Sequence, residues 1–123
     1  WLSAINKQEF NNHINELYWK DRCGIAFTLA TIGGRWKINF LSYLLNEGKL
    51  RYSELRKKLV GISERMLIAK LKELEQDNLI TRIVYQQVPP KVEYELTALG
   101  RSLEEILTLM DKWGEDNLPE SML

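Results

Sequence analysis

Residues 49–97 read KLRYSELRKKLVGISERMLIAKLKELEQDNLITRIVYQQVPPKVEYELT, and this stretch decides the fold. Its first part holds two short amphipathic segments separated by a tight turn at residues 60–62. Its second part holds two β-branched and aromatic runs, residues 80–85 and 92–96, joined by a loop that contains two prolines. Two helices, a turn and a hairpin outline a winged helix-turn-helix. The sequence therefore predicts a mainly α fold with a small β-hairpin wing, in the α+β class.

Positive charge is concentrated in the same stretch. Residues 49–91 include ten basic and five acidic residues, whereas the whole chain has 17 of each. Residues 49–91 therefore have a net charge of +5, and the rest of the chain has −5. Such asymmetry within a neutral chain favours a surface that meets a polyanion.

Size and composition restrict the classes of protein to which the chain can belong. A length of 123 residues suits one domain. No apolar run approaches the roughly 18 residues that span a bilayer, and the N-terminus lacks the order of a secretory signal, so we expect no membrane association and a cytoplasmic location. One cysteine and one histidine cannot form an internal disulfide or complete a structural zinc site. The sequence predicts no metal and no other cofactor.

Amphipathic helices are expected on both sides of the deciding stretch. Apolar spacing predicts helices over residues 10–18, 25–32 and 36–45. A pair of glycines, Gly33 and Gly34, separates the second of these helices from the third. Beyond the stretch, a single helix from about Thr97 carries a heptad seam over two repeats. The seam consists of Leu99, Leu103, Ile106, Met110 and Trp113. It can pack against the domain core or against its copy in a second chain.

Three motifs in order resemble those of the HxlR family of bacterial winged-helix transcription regulators, which are related to MarR-like regulators: IGGRWKINFLSYL, RYSELRKKLVGISERMLIAKLKELE and VPPKVEYELTALG. The resemblance covers residues 21–114. Residues 1–20 are then an N-terminal helical extension, and residues 115–123 are a flexible tail. The resemblance implies a homodimer, formed through residues 97–113 and the N-terminal helices, that binds a palindromic operator in double-stranded DNA. Repression is the commoner outcome for such a regulator.

The second helix of the helix-turn-helix is the candidate for base readout. On a helical wheel, Arg65, Ala69 and Lys72 lie opposite Leu67 and Leu74, so they would point into the major groove. An arginine can bond guanine O6 and N7 together, which is worth about 1–3 kcal/mol of discrimination. Ala69 removes the bulk that would hold the helix away from the bases.

Residues around this helix are candidates for contacts with the DNA backbone. Ser53 and Ser63 are predicted to cap the two short helices, and Ser63 can direct its hydroxyl or the helix N–H groups at a phosphate. Arg51 and Ser53 could do the same one helix earlier. Lys91 and Gln87, expected at the wing tip, could reach the backbone or the minor groove.

Cys23 has two interpretations. It follows Arg22 at the start of a predicted helix, where a positive neighbour and the helix dipole favour the thiolate, so it is a candidate redox or electrophile sensor. It is equally a small apolar residue of the kind often buried. With one thiol in the chain, a sensing disulfide would have to be intermolecular.

Other interpretations stay open beside the DNA-binding one. Lys57 and Lys58 can be simply a solvated helical face, and His13 is expected on the surface. The winged helix could serve as a protein-interaction module without DNA binding. No Ser, His and Asp set and no paired catalytic carboxylates stand out, so the sequence does not predict an enzyme.

Overall fold

The computed structural model describes residues 23–122 of the chain. They belong to two compact units, Trp1–Lys37 and Ile38–Leu123. The predicted helix over residues 10–18, together with His13 and the extension of residues 1–20, lies outside the described residues. In the first unit, helix α1 spans Gly24–Ile32 and ends at the glycine pair, as predicted. The second of these glycines, Gly34, has a φ of 103°, a backbone conformation that side chains disfavour.

Helix α2 spans Lys37–Glu47 and stops at Gly48, whose φ is 83°. The remaining elements follow in chain order: β1 (Lys49–Arg51), α3 (Tyr52–Lys58), α4 (Glu64–Gln76), β2 (Ile80–Tyr85), β3 (Lys91–Leu96), α5 (Ala98–Arg101), α6 (Glu104–Asn117) and a final 3-10 turn (Glu120–Met122). None of the helices in this described part of the chain is long and apolar enough to cross a membrane. The predicted winged helix-turn-helix is confirmed, with α3 and α4 as its two helices.

The three strands form one antiparallel sheet in the order β1-β3-β2. Strands β2 and β3 are the predicted hairpin, and Ile80 lies opposite Leu96 at its base. Strand β1 was not predicted. It has three residues, which are too few to show an alternation of apolar and polar residues. Its partner β3 is about forty positions away in the chain, and Arg51 lies opposite Glu93.

Aliphatic side chains from both helices and strands form the core of the second unit. The residues that are almost fully buried are Phe40, Leu41, Leu44, Leu50, Leu55, Leu67, Leu74 and Ile80. Burial of each such side chain stabilises the fold by about 1.5–3 kcal/mol relative to exposure. The leucine stripe of α4 faces this core, so the opposite side of α4 is left to solvent, as the wheel predicted.

Ser63 is the N-cap of α4, as predicted, and its Oγ accepts a hydrogen bond from the Met66 N–H at 3.1 Å. The prediction that Ser53 caps the preceding helix is wrong. Because β1 keeps the chain extended through Arg51, α3 begins at Tyr52 and the cap position falls on Arg51. The N–H of Arg51 donates to Glu54 Oε1 at 3.0 Å, so the carboxylate of the third helical residue accepts from the cap residue, as in a capping box.

The single C-terminal helix predicted from Thr97 is two helices, because α5 ends before Ser102 and α6 begins at Glu104. Thr97 caps α5, accepting from the Gly100 N–H at 3.0 Å and donating to the Asn78 carbonyl at 2.7 Å. The hydroxyl of Ser102 donates to the Leu99 carbonyl, a local bond that competes with helix continuation. Helix α6 then runs to Asn117, so it includes the first three residues of the predicted tail, residues 115–123.

Candidate nucleic-acid interface

An open groove of about 740 Å³ lies between the start of α3, one side of α4 and the wing, which is β2, β3 and the loop of residues 86–90. The structure brings five of the eight predicted DNA-binding residues to this groove: Arg51, Ser53, Lys72, Gln87 and Lys91. They come from β1, α3, α4, the loop of residues 86–90 and β3. Strand β1 and the β2-β3 hairpin make this convergence possible, because they place the start of α3 beside the wing.

The other three predicted residues are on α4, outside the groove lining. Arg65 and Ala69 are exposed on the outer side of the helix together with Lys72. Ser63 sits at the helix N-terminus, where its acceptor is occupied by the Met66 N–H. Its hydroxyl hydrogen remains able to donate to a phosphate oxygen.

The groove is basic. Four of its lining residues are cations, Arg51, Lys72, Arg82 and Lys91, and Glu75 is the single acidic residue among them. Within residues 23–122, Arg51, Lys72 and Arg82 form no ion pair. A groove with this excess of positive charge attracts an anion, and the attraction is weakened by salt.

Arg82 was missed by the sequence reasoning. It lies opposite Tyr94 on the outer strand β2, in the row that also contains Leu50. Opposite residues in an antiparallel sheet share a face, so Arg82 shares the face of two buried side chains but lies at the sheet's edge. Strand alternation was a usable signal, since Arg82 comes two residues after the buried Ile80.

Lys91 is not at the wing tip as predicted, because it is the first residue of β3 and is only half exposed. Its Nζ lies 3.5 Å from Glu93 Oε1 and 4.7 Å from the centre of the Tyr85 ring. A hydrogen bond from Tyr85, helped by the charge of Lys91, holds the pKa of Glu93 below its usual value. The same hydrogen bond is the main reason that the pKa of Tyr85 is raised. Lys91 can therefore meet a phosphate only by sharing its charge with Glu93.

Glu64, which precedes Arg65, is used within the fold. It accepts from the Tyr52 hydroxyl at 3.4 Å and lies 4.0 Å from Arg56. Burial, followed by the charge of Glu64, raises the pKa of Tyr52. Through these contacts Tyr52 and Arg56 of α3 join the first residue of α4 and help to orient the two helices of the helix-turn-helix.

The basic run on α3 is only partly a solvated face. Lys58 forms an ion pair with Glu47 on α2 at 2.6 Å and lies 5.4 Å from the centre of the Tyr43 ring. The bond to Glu47 is the main cause of the raised pKa of Lys58. Lys57 is exposed, in keeping with the solvated interpretation. Lys58 is therefore a structural cation that ties α3 to α2.

Most of the C-terminal seam is exposed. Trp113 is 71% exposed and Leu99 52%. Ile106 and Met110 are also exposed, whereas Leu103 is half buried. The buried residue of α6 is Leu107, which lies outside the predicted seam. The seam therefore does not serve the core of the second unit, and Leu99 belongs to a different helix from the other exposed members.

Cys23 is at the N-cap position of α1 and is half buried. Its side chain makes no capping hydrogen bond. Arg22, the positive neighbour in the sensing hypothesis, lies outside the described residues.

Comparisons with known proteins agree on one family. The family model described as HxlR-like helix-turn-helix matches residues 31–122. The uncharacterized HTH-type transcriptional regulator YybR of Bacillus subtilis (strain 168) is 50% identical over 98 residues, which are 80% of this chain and 78% of YybR. The solved structure of the redox regulator HypR in its oxidized form is 47% identical, with a TM-score of 0.74, covering 79% of this chain and 99% of HypR. The reduced form gives the same identity and TM-score over 77% and 93%.

Proposed function

Because the chain belongs to the HxlR family of helix-turn-helix transcriptional regulators, which bind DNA, we propose that its DNA site consists of the outer side of α4, the basic groove and the wing. The observation that carries this proposal is the groove itself. It gathers cations from β1, α4, β2 and β3 that are far apart in sequence. The relatives are transcriptional regulators, and nothing among them supports a protein-interaction module without DNA binding.

In this proposal α4 enters the major groove and reads bases. Arg65 donates two hydrogen bonds to guanine, and the small Ala69 beside it lets the helix approach. Lys72, one to two turns further along the same side, contacts a base edge or a phosphate. The outer side of α4 has no bulky aromatic residue that would prevent this approach.

The phosphate contacts come from around the helix. Arg51 and Arg82 donate from the groove, because neither has an anionic partner within the described residues. Ser63 donates its hydroxyl hydrogen, and the N–H groups at the start of α4 face the same anion. Ser53, Gln87 and Lys91 complete the predicted set, with Lys91 shared between Glu93 and the DNA backbone.

We further propose a homodimer on a palindromic operator, acting as a repressor in the cytoplasm, where the DNA is. A single helix reads few base pairs, and two copies reach half-sites about 34–36 Å apart. The exposed apolar seam of α5 and α6 supports dimerisation. On α1, Ile25, Phe27 and Leu29 are exposed as well, in keeping with a role for the N-terminal helices.

Cys23 is proposed as a redox switch of this dimer. HypR, a 47% identical protein, is named a redox regulator, and Cys23 is half buried at a helix N-terminus. Two Cys23 thiols, one from each subunit, would lose two protons and two electrons to diamide, forming a disulfide and a hydrazine. Non-reducing electrophoresis and DNA binding after diamide treatment test this. Unchanged operator binding by the cross-linked dimer would contradict it.

The experiment that tests DNA binding is a footprint on DNA next to the protein's own gene, followed by affinity measurements across a salt series. We expect one protected palindrome and a steep fall of affinity with salt, because each phosphate contact displaces a counterion. Absence of specific binding at every salt concentration would overturn the proposed function. Arg82→Ala should reduce the slope of log affinity against log salt by about 1.

A further inference from the structure

Ile68 is an exposed aliphatic residue on the basic side of α4. Its side chain is 42% exposed and lines the groove. With 3.6 residues per turn, it lies about 60° around the helix from Arg65 and about 40° from Lys72. It is therefore next to both cations on the side of α4 that the proposed function directs at DNA.

The core does not account for this placement. Leu67, Leu71 and Leu74 supply the buried stripe of α4, each at most 3% exposed. A single exposed aliphatic residue is ordinary on a protein surface. Its position beside two basic residues, in a groove whose other α4 lining includes Lys72 and Glu75, is what distinguishes Ile68.

The chemistry of the major groove restricts what Ile68 can contact. Base edges there present hydrogen-bond donors and acceptors, which an aliphatic side chain cannot satisfy. The exception is the C5-methyl group of thymine, the apolar feature that distinguishes a T·A pair. Arg65 and Ile68 are three residues apart, which is about 4.5 Å along the helix axis, close to the roughly 3.4 Å between neighbouring base pairs.

We propose that Ile68 is a specificity-determining residue that packs against a thymine methyl in each half-site, within one or two base pairs of the guanine bonded by Arg65. The inference rests on the proposed function, since it requires α4 to lie in the major groove. It predicts that each half-site of the operator contains a T·A pair, bound through its methyl group, within one or two base pairs of a G·C pair.

The test uses the wild-type protein and begins with selection of bound duplexes from a random library. Each thymine of the recovered duplex is then replaced in turn by deoxyuridine, which removes the methyl group and keeps the hydrogen-bonding edge. We expect one position in each half-site where the replacement weakens binding about fourfold, the factor given by burial of one methylene-sized group. Equal affinity for all the replaced duplexes would overturn the role of Ile68.

Two variants assign the effect to a residue. In Ile68→Ala, the penalty for deoxyuridine should disappear, whereas in Met66→Ala it should remain about fourfold. Met66 is a suitable control because it is 37% exposed on another side of α4 and does not line the groove. A penalty that persists in Ile68→Ala would show that another residue reads the methyl. A selection that recovers no preferred duplex would instead overturn the proposed function, and the inference with it.

Discussion

Helices α4 and α6 have nearly equal lengths, 13 and 14 residues, and opposite exposed surfaces. Helix α4 buries its leucines and exposes Arg65, Ala69 and Lys72. Helix α6 buries Leu107 and exposes Ile106, Met110 and Trp113.

The exposed side of α4 can form ion pairs and hydrogen bonds with a charged partner, whereas the exposed apolar side chains of α6 gain free energy by leaving water. The difference supports the two proposed roles, in which α4 faces DNA and α6 faces an apolar surface of a second copy of the chain.

A charge on the α6 seam should have the largest effect. In Ile106→Glu, burial of an unpaired carboxylate at the subunit interface is strongly unfavourable, so we expect a monomer. Because the dimer holds both half-sites, its loss should reduce operator affinity by at least about 100-fold. Analytical ultracentrifugation and operator titration measure the two effects. Thr108→Glu, an exposed position on α6 outside the seam, is the matched control and should remain dimeric. If the Ile106→Glu variant remained dimeric, the seam would not be part of the subunit interface.

Removal of Arg65 should have the next largest effect. Arg65→Ala loses the two hydrogen bonds to guanine, worth about 1–3 kcal/mol per half-site, and should lose its discrimination at that G·C position while the other base contacts of α4 remain. Competition between operator and random duplexes measures this loss of discrimination. Arg82→Ala is the contrast, because a lost phosphate contact should weaken operator and random duplex alike. If Arg65→Ala kept the full wild-type preference for the operator, Arg65 would not be a base-reading residue.

Gly100 in α5 is in close contact with the core, whereas Gly114 in α6 faces open space, so alanine at the two positions should have opposite effects on stability. A Cβ at Gly100 would collide with the Leu79 carbonyl oxygen, so Gly100→Ala should destabilise the fold by about 1–3 kcal/mol. Gly114 lies within α6 with open space around it, so Gly114→Ala should stabilise the fold by about 0.5–1 kcal/mol. Urea unfolding of both variants measures the difference. Equal stabilities would mean that α5 shifts without cost, so that α6 is not fixed by this contact.

The smallest expected effect is at the wing. The folded-state pKa of Glu93 is lowered, so its interactions stabilise the fold above the pKa of the unfolded chain and are lost as the pH falls through the folded pKa. Stability in the acid range, around and below about pH 4, should therefore depend less on pH in Glu93→Gln than in the wild type. Thermal unfolding across this range checks it. The same variant should bind DNA slightly more tightly, because Lys91 no longer shares its charge; Glu95→Gln is the control.

Local sequence patterns predicted the elements whose cause is local. The spacing of Leu67, Leu71 and Leu74 located α4 and its exposed side, and Ser63 marked its start. The hairpin followed from two β-branched runs. Contacts distant in sequence were missed: β1 exists because β3 pairs with it, and the cap of α3 moved from Ser53 to Arg51 for that reason.

The candidate site shows the same division. The outer residues of α4 could be predicted from helical period alone, whereas Arg82 enters the groove through strand register. The sequence predicted Lys91 at the wing tip and did not show its ion pair with Glu93, because that pair depends on how the hairpin folds. The heptad pattern also did not predict the break between α5 and α6. Contacts distant in sequence hold α5 in place, because Thr97 bonds Asn78 and Gly100 lies against Leu79. The roles of the predicted DNA-binding residues stay predictions.

Strand β1 has a consequence for the spacing of contacts on DNA. Arg51 at its end lies opposite Glu93, and on the other side of β3 the outer strand carries Arg82 opposite Tyr94. Backbone hydrogen bonds across three strands therefore set the distance between the Cα atoms of Arg51 and Arg82. Side-chain substitutions at these two positions would change the reach and strength of each proposed phosphate contact, but not the spacing of the two backbone positions. In the proposed complex, the sheet would fix the spacing of these two positions along the DNA backbone, while the outer residues of α4 could change with the bases that they select.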